Sequence, residues 1–223
     1  MRKRVCIIAL ALTGALLSHA QPPKSPEVAP GITLPANGDA TVLALDSVTA
    51  GPTLVHVPPH EVVLSSHAAS NFLRGMVYSG PHMSAEMDGP HAETIVSSTK
   101  AVLFVRLNGD NVELARSRVH LLWLQPGKKR REITDFSMNV FGGQRTRDVD
   151  EVPCDTEMVE GTNWLKVTPK DPLIPGEFAI AFLPKDVNQQ PDAAFDFGVP
   201  GGTAKTGNPY EPKPAGSADT KKP

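Results

Sequence analysis

Between Thr41 and Val199 no window of a dozen residues carries apolar side chains at helical spacing without a glycine or proline close by. An amphipathic helix needs that period of three to four residues to bury one face. Strands are what remain. Short β-rich runs occupy 41–48, 53–57, 61–64, 75–78, 93–96, 101–107, 118–124, 136–141, 164–168 and 176–183. Turn residues punctuate them at Asn108-Gly109-Asp110, Gln125-Pro126-Gly127 and Pro175-Gly176. Many short strands with such turns predict an all-β fold, an antiparallel β-sandwich of immunoglobulin-like or jelly-roll-like kind, with a barrel as the alternative topology. Strands do not alternate with helices, which disfavours a parallel sheet. The span 41–199 is long enough for one domain with a substantial core.

Individual strands can be read for their faces. In the run from Pro175 to Leu183, Phe178, Ile180 and Phe182 fall on one side, and Glu177, Ala179 and Ala181 on the other. The type II turn expected at Pro175-Gly176 uses the tolerance of Gly176 for positive φ. The run Val119-His120-Leu121-Leu122-Trp123-Leu124 is apolar on both faces apart from His120, so it should be a central strand covered on both sides. His120 is then expected to be a satisfied interior or edge histidine.

The two ends differ in kind from this middle. Residues 1–20 have the layout of a signal peptide: Arg2, Lys3 and Arg4, an uncharged apolar run from Val5 to Leu17, and the small residues Ser18 and Ala20 before a cleavage point. That run is short for a bilayer span of about 20 residues, and no cysteine stands at the cleavage point to take a lipid. The chain is expected to be exported, periplasmic or extracellular, with no transmembrane segment after cleavage. Residues 21–40 carry Pro22, Pro23, Pro26, Pro30 and Pro35 and are expected to be a disordered linker. Residues 200–223 hold five prolines, four glycines and four lysines, with Tyr210 as their one aromatic, and are expected to be a disordered tail.

Cleavage also sets the charge. Of 22 basic residues, loss of Arg2, Lys3 and Arg4 leaves 19 against 24 acidic ones, a net charge of −5. Such a chain is poorly suited to nonspecific nucleic-acid binding, whose affinity comes from neutralised phosphates. Cys6 leaves with the signal peptide and Cys154 remains alone, so the mature fold must hold by its core rather than by an internal disulfide.

Four groups of residues invite chemistry. The stretch Gly80 to Glu93 contains His82, Met83, Met87 and His91, and thioether with imidazole ligands would suit copper. Pro81 and Gly89-Pro90 would bound one or two helical turns there, placing Met83 and Met87 on one face. The competing expectation is that the methionines fill gaps in packing, so no cofactor is expected, with copper as the alternative. His56 and His60 flank two prolines, and at four residues apart in an extended chain they are about 13 Å apart, too far to share one ion. Arg116, Arg118, Lys128, Lys129, Arg130 and Arg131 make a basic patch that would meet an acidic polymer or partner, or else serve as a solvated turn that blunts a sheet edge. Cys154 would need a histidine close in space to act as a nucleophile, and is expected to be a packed, inert thiol. Asp148 and Asp150 share a strand face, Phe141-Gly142-Gly143 has no phosphate-loop sequel, and there is no nucleophile elbow. The chain is expected not to be an enzyme.

The runs "VRLNGDNVELARSRVHLLWLQPGKKRREI", "FGG", "DVDEVPCDTE", "WLKVTPKDPLIPGEF" and "FDFGV" resemble a module of exported bacterial proteins without a known function. Its features are a basic turn, a Gly-rich loop, and a Leu-x-Pro-Gly-Glu-aromatic hairpin ending in Phe-Asp-Phe-Gly, and the resemblance covers 93–199. It implies a β-sandwich, and no active site can be carried over from it. Phe178 departs from the pattern's Tyr and Cys154 from its Phe. The expected function is that of an exported, noncatalytic binding or scaffold module of the bacterial envelope, its partner an envelope protein or a glycan. A periplasmic copper-handling protein is the alternative.

Overall fold

The computed structural model describes residues 25–36, 41–48, 51–66, 82–108, 111–138, 145–191, 193–201 and 209–210. The chain opens with a hairpin of β1 (Glu27–Ala29) and β2 (Ile32–Thr33). Then come β3 (Val42–Val48), β4 (Gly51–Val57), β5 (Pro59–Glu61), β6 (Val63–Ser65), β7 (His82–Asp88) and β8 (Val102–Arg106). One helical turn, α1 (Val112–Arg116), precedes β9 (Val119–Pro126), β10 (Arg130–Met138) and β11 (Arg145–Asp148). The remaining strands are β12 (Cys154–Met158), β13 (Trp164–Pro169), β14 (Gly176–Phe182) and β15 (Ala193–Val199).

Two antiparallel sheets form the sandwich. The flatter one has five strands in the order β12-β13-β8-β3-β4. The larger runs β5-β15-β14-β9-β10-β7-β6, with β11 also paired to β10. Its two ends, β5 and β6, are separated in sequence by Val62 alone, so this sheet curls until it nearly closes on itself. Alternation along each strand then creates two interiors. On one face Leu121, Trp123, Phe178, Ile180 and Phe197 meet Leu103, Val105, Leu165 and Val167 of the flat sheet. On the other, Leu122, Leu124, Ala179, Ala181 and Ala194 line the concave side with Ala85, Met87 and Ile133. β9 is therefore covered on both faces, as its sequence required. The alanines fit the curled interior because little width remains there for larger side chains.

Close approach explains two glycines. A Cβ on Gly127, in the β9–β10 hairpin, would lie 2.2 Å from the Arg130 carbonyl oxygen. One on Gly176 would lie 2.8 Å from Nε1 of Trp123. Gly176 is thus required by the indole packed upon it, beyond any turn preference. The turn expected at 108–110 lies partly outside the described residues, at Gly109 and Asp110. After it α1, capped by the Asn111 side chain on Leu114 N at 2.9 Å, leads to β9, in the other sheet from β8.

Several expectations need correction. The proline-rich stretch 21–40 was expected to be disordered, yet its residues 26–35 cover the outer face of the flat sheet. Leu34 is wholly buried with Leu43, Phe104 and Trp164. The Pro35 carbonyl accepts from Nη2 of Arg106 at 2.8 Å, and the Arg106 guanidinium stacks 4.6 Å from the centre of the Trp164 ring. Leu34, with Val28 packed beside the same cluster, docks the hairpin on the sheet. In the tail, Tyr210 packs edge-on to Phe178 and its hydroxyl accepts from Ile174 N at 3.2 Å. The run 93–96 forms a single bridge, Ile95 with Gly198, rather than a strand. There the buried carboxylate of Asp46 accepts from the backbone N–H groups of Ser97 and Ser98, both at 2.8 Å. The run 75–78 and residues 139–141 lie outside the described residues.

Candidate functional site

The Met/His stretch is a strand, not a helical turn. β7 pairs antiparallel with β10 from His82–Ser137 to Asp88–Arg130, with the register shifting once between Glu132 and Thr134. Ladder bonding to β10 and β6 overrides the local helix signals of Pro81 and Gly89. Met83 and Met87 still share a face, because residues four apart do so on a strand as well. That face is the concave interior: Met87 is fully buried among Ala85, Leu122 and Ile133, and Met83 is packed beside them. His91 lies beyond the strand on the surface, its Nδ1 3.1 Å from Glu177 Oε1. The thioethers point into the apolar interior while this imidazole is held outside.

The six basic residues do not form one patch. Arg116 and Arg118 stand before β9, whereas Lys128, Lys129 and Arg130 stand at its far end, so about 25 Å of strand separates them. Arg116 donates through Nη2 to the Thr156 carbonyl at 2.9 Å and so covers the outer edge of β12. Lys128 and Lys129 are exposed in the hairpin. Arg130 is exposed and bound to Asp88 at 2.8 Å and Glu86 at 3.3 Å.

Arg131 overturns its expected place in the basic surface, for its side chain is 0 % exposed. From β10 it reaches across the curled interior to Asp196 of β15, Nη1 to Oδ2 at 2.5 Å, and lies 3.5 Å from Glu177 of β14. Its Nε and Nη2 donate to the carbonyls of Gly89 and Asp88, both at 3.1 Å. The chain of contacts ends at the surface on both sides, in His91 on Glu177 and in His60, whose Nδ1 is 3.4 Å from Asp196. Buried charges persist only when paired and hydrogen-bonded, and here every guanidinium nitrogen has a partner. The sequence did hold a signal for this tie. Asp196 interrupts the apolar strand Phe195–Val199, and Glu177 occupies the alanine face of β14.

Two further groups are settled by their surroundings. His120 Nδ1 lies 3.0 Å from Glu151, and that hydrogen bond holds the Glu151 carboxyl below its usual range, against the opposing effect of burial. The Cys154 thiol is pushed up to about 12, first by burial and then by the nearby carboxylates of Glu151 and Asp155. It donates to the Val152 carbonyl at 3.2 Å and is a protonated packing group at neutral pH.

An opening into the molecule lies where β8, β9, β14 and β15 end together. Its volume is about 320 Å3, within the size range of small-ligand sites. Its apolar wall is Phe182 and Phe195, whose rings meet edge to face at 6.3 Å, with Pro184 and Pro191 beside them. Its polar groups include Arg118, Asn108 and Gln190, and no carboxylate lines it among the described residues. Nε of Arg118 donates to the Leu183 carbonyl at 3.3 Å, which fixes the plane of the guanidinium. Among the described residues it has no acidic partner, in contrast to Arg130 and Arg131. The sequence placed Arg118 in a basic patch, but the aromatic wall and Gln190 come from strand ends far away in the chain.

Comparisons with protein-family models, curated proteins and solved structures found no match to this chain. Among the described residues no helix is long and apolar enough to cross a membrane.

Proposed function

We propose that this protein is an exported, noncatalytic binding module of the bacterial cell envelope, with the opening at the end of the sandwich as its ligand site. The observation that carries this reading is the composition of that opening: among the described residues no carboxylate lines it, while two arginines, Arg106 and Arg118, and an aromatic wall of Phe182 and Phe195 do. Such groups grip and orient a ligand by shape and charge, and they do not form a nucleophile–base pair. The amino-terminal sequence supports export, and the nearly closed sheet supplies a rigid mount for the cleft.

Two measurements test it. Mass spectrometry of protein recovered from an exporting bacterium should give a chain beginning at Gln21. The mature protein, immobilised, should retain a component of an envelope extract, while panels of esters, peptides and glycans remain unhydrolysed. Retention of nothing, or turnover of any panel substrate above background, overturns the reading.

A further inference from the structure

The hairpin of residues 26–35 is held to the sandwich differently from the strands it covers. Among the described residues β1 and β2 pair only with each other. β8 beneath them is laddered on both sides, to β13 and to β3. The hairpin closes on itself: Leu34 N donates to the Pro26 carbonyl at 3.0 Å, and Gly31 N to Glu27 Oε1 at 2.7 Å. Its holds on the sheet are few. Within residues 25–36 Leu34 alone is buried, with Val28 packed at the same cluster. The Pro35 carbonyl accepts from Nη2 of Arg106 at 2.8 Å and from Nε1 of Trp164 at 3.4 Å. Leu34 and Pro35 are neighbours in sequence, so one local movement releases both.

An isolated two-stranded hairpin is marginal in water, and the entropy of ordering about ten residues opposes what one buried leucine contributes. The face beneath acts in the other direction. Leu43, Phe104 and Trp164 are 6 %, 1 % and 2 % exposed under the hairpin, and their burial favours the closed form.

We propose that the hairpin is a strap that lifts from the flat sheet as a unit while the sandwich stays folded. It thereby governs access to the apolar face of Leu43, Phe104 and Trp164. Opening of this kind breaks only the contacts of the strap, so it needs less free energy than global unfolding. The closed strap keeps that face from other chains, and the open one presents it.

The test combines hydrogen exchange and thiol labelling on the full chain. By mass spectrometry, the amides of 26–35 should exchange about a hundredfold faster, or more, than those of β8 and β13. In the Leu43→Cys variant the introduced thiol lies under the strap, and adding Leu34→Ala should raise its labelling by iodoacetamide about tenfold or more. Cys154, which packs against the core between the sheets, reports opening of the sandwich in the same sample. Its labelling should change by less than about twofold. Strap amides that exchange in step with β8 overturn the proposal, because the strap then leaves only when the sandwich unfolds. Equal acceleration of both thiols by Leu34→Ala, or none at residue 43, overturns it as well. Should Leu43→Cys fail to fold, exchange in the Leu34→Ala single variant decides. There the strap amides must speed up about tenfold with β8 and β14 unchanged.

Discussion

The two interiors of this protein are built from alternate residues of the same strands, yet they are held together differently. The space between the sheets is filled mainly by large apolar side chains, with Trp123, Phe178, Ile180 and Phe197 at its centre. The space inside the curled sheet has alanines at four positions, beside Leu122, Leu124, Ile133, Phe136 and Met87, and is crossed by a buried arginine with two acids. Dispersion and burial scale with the area that side chains remove from water. The positions held by Ala179, Ala181, Ala194 and Ala85 gain less of both than the aromatic positions of the other interior. The Arg131 tie supplies directional contacts that fix β10 against β15 and β14. An apolar interior degrades gradually as methylenes are removed, whereas a charged tie fails as a unit when one member is lost.

The largest expected effect follows from that contrast. Arg131→Ala leaves the carboxylates of Asp196 and Glu177 without their buried counterion and should cost about 3–5 kcal/mol in urea denaturation. The double variant Arg131→Met with Asp196→Leu removes the charges together and should regain at least half of that loss. A double variant no better than the single one would break the comparison.

On the apolar side, Leu121→Ala should cost about 2–5 kcal/mol, graded by how far the sandwich core collapses around it. Within the curled sheet, Met87→Leu keeps volume and should cost less than about 1.5 kcal/mol. A larger loss, reversed by adding Cu(I), would instead mark the thioether as a ligand. Gly176→Ala pushes a methyl to 2.8 Å from the Trp123 indole nitrogen and should cost about 1–3 kcal/mol through overpacking.

The smallest effect concerns Cys154. Its thiol is raised in the folded chain from an ordinary 9.0 to about 12. The protonated thiol therefore favours the folded state fully below pH 9, and that contribution is lost as pH rises from 9 toward 12, because the unfolded thiol ionises first. At pH 8 the folded protein should react with a thiol reagent far more slowly than the urea-unfolded chain. Equal rates would place the thiol at the surface.

Much of the architecture was legible because strand signals are local. The double-sided apolar run at β9, the face alternation of β14 and the hairpin at Gln125-Pro126-Gly127 all depend on neighbours in sequence. The misses share a cause as well. β7 reads locally as a bounded helical turn, and becomes a strand because β10 and β6 flank it with unsatisfied backbone groups. The amino-terminal prolines read as a linker, and dock because Leu34 finds Phe104 and Trp164 on a sheet face that would otherwise meet water. Arg131 reads as one more cation in Lys128-Lys129-Arg130-Arg131, and is buried because the pleat turns alternate residues inward.

What the sequence alone determined was therefore the period-two pattern: an antiparallel all-β chain with β9 at its centre. What only the tertiary structure decided was where charge ends up. Lys128, Lys129 and Arg130 stay in solvent, Arg131 crosses an interior, and Arg118 faces an opening with Gln190 and two phenylalanines. Those assignments depend on which distant strands close the curled sheet, and a contact between residues far apart in the chain leaves no periodic trace in it.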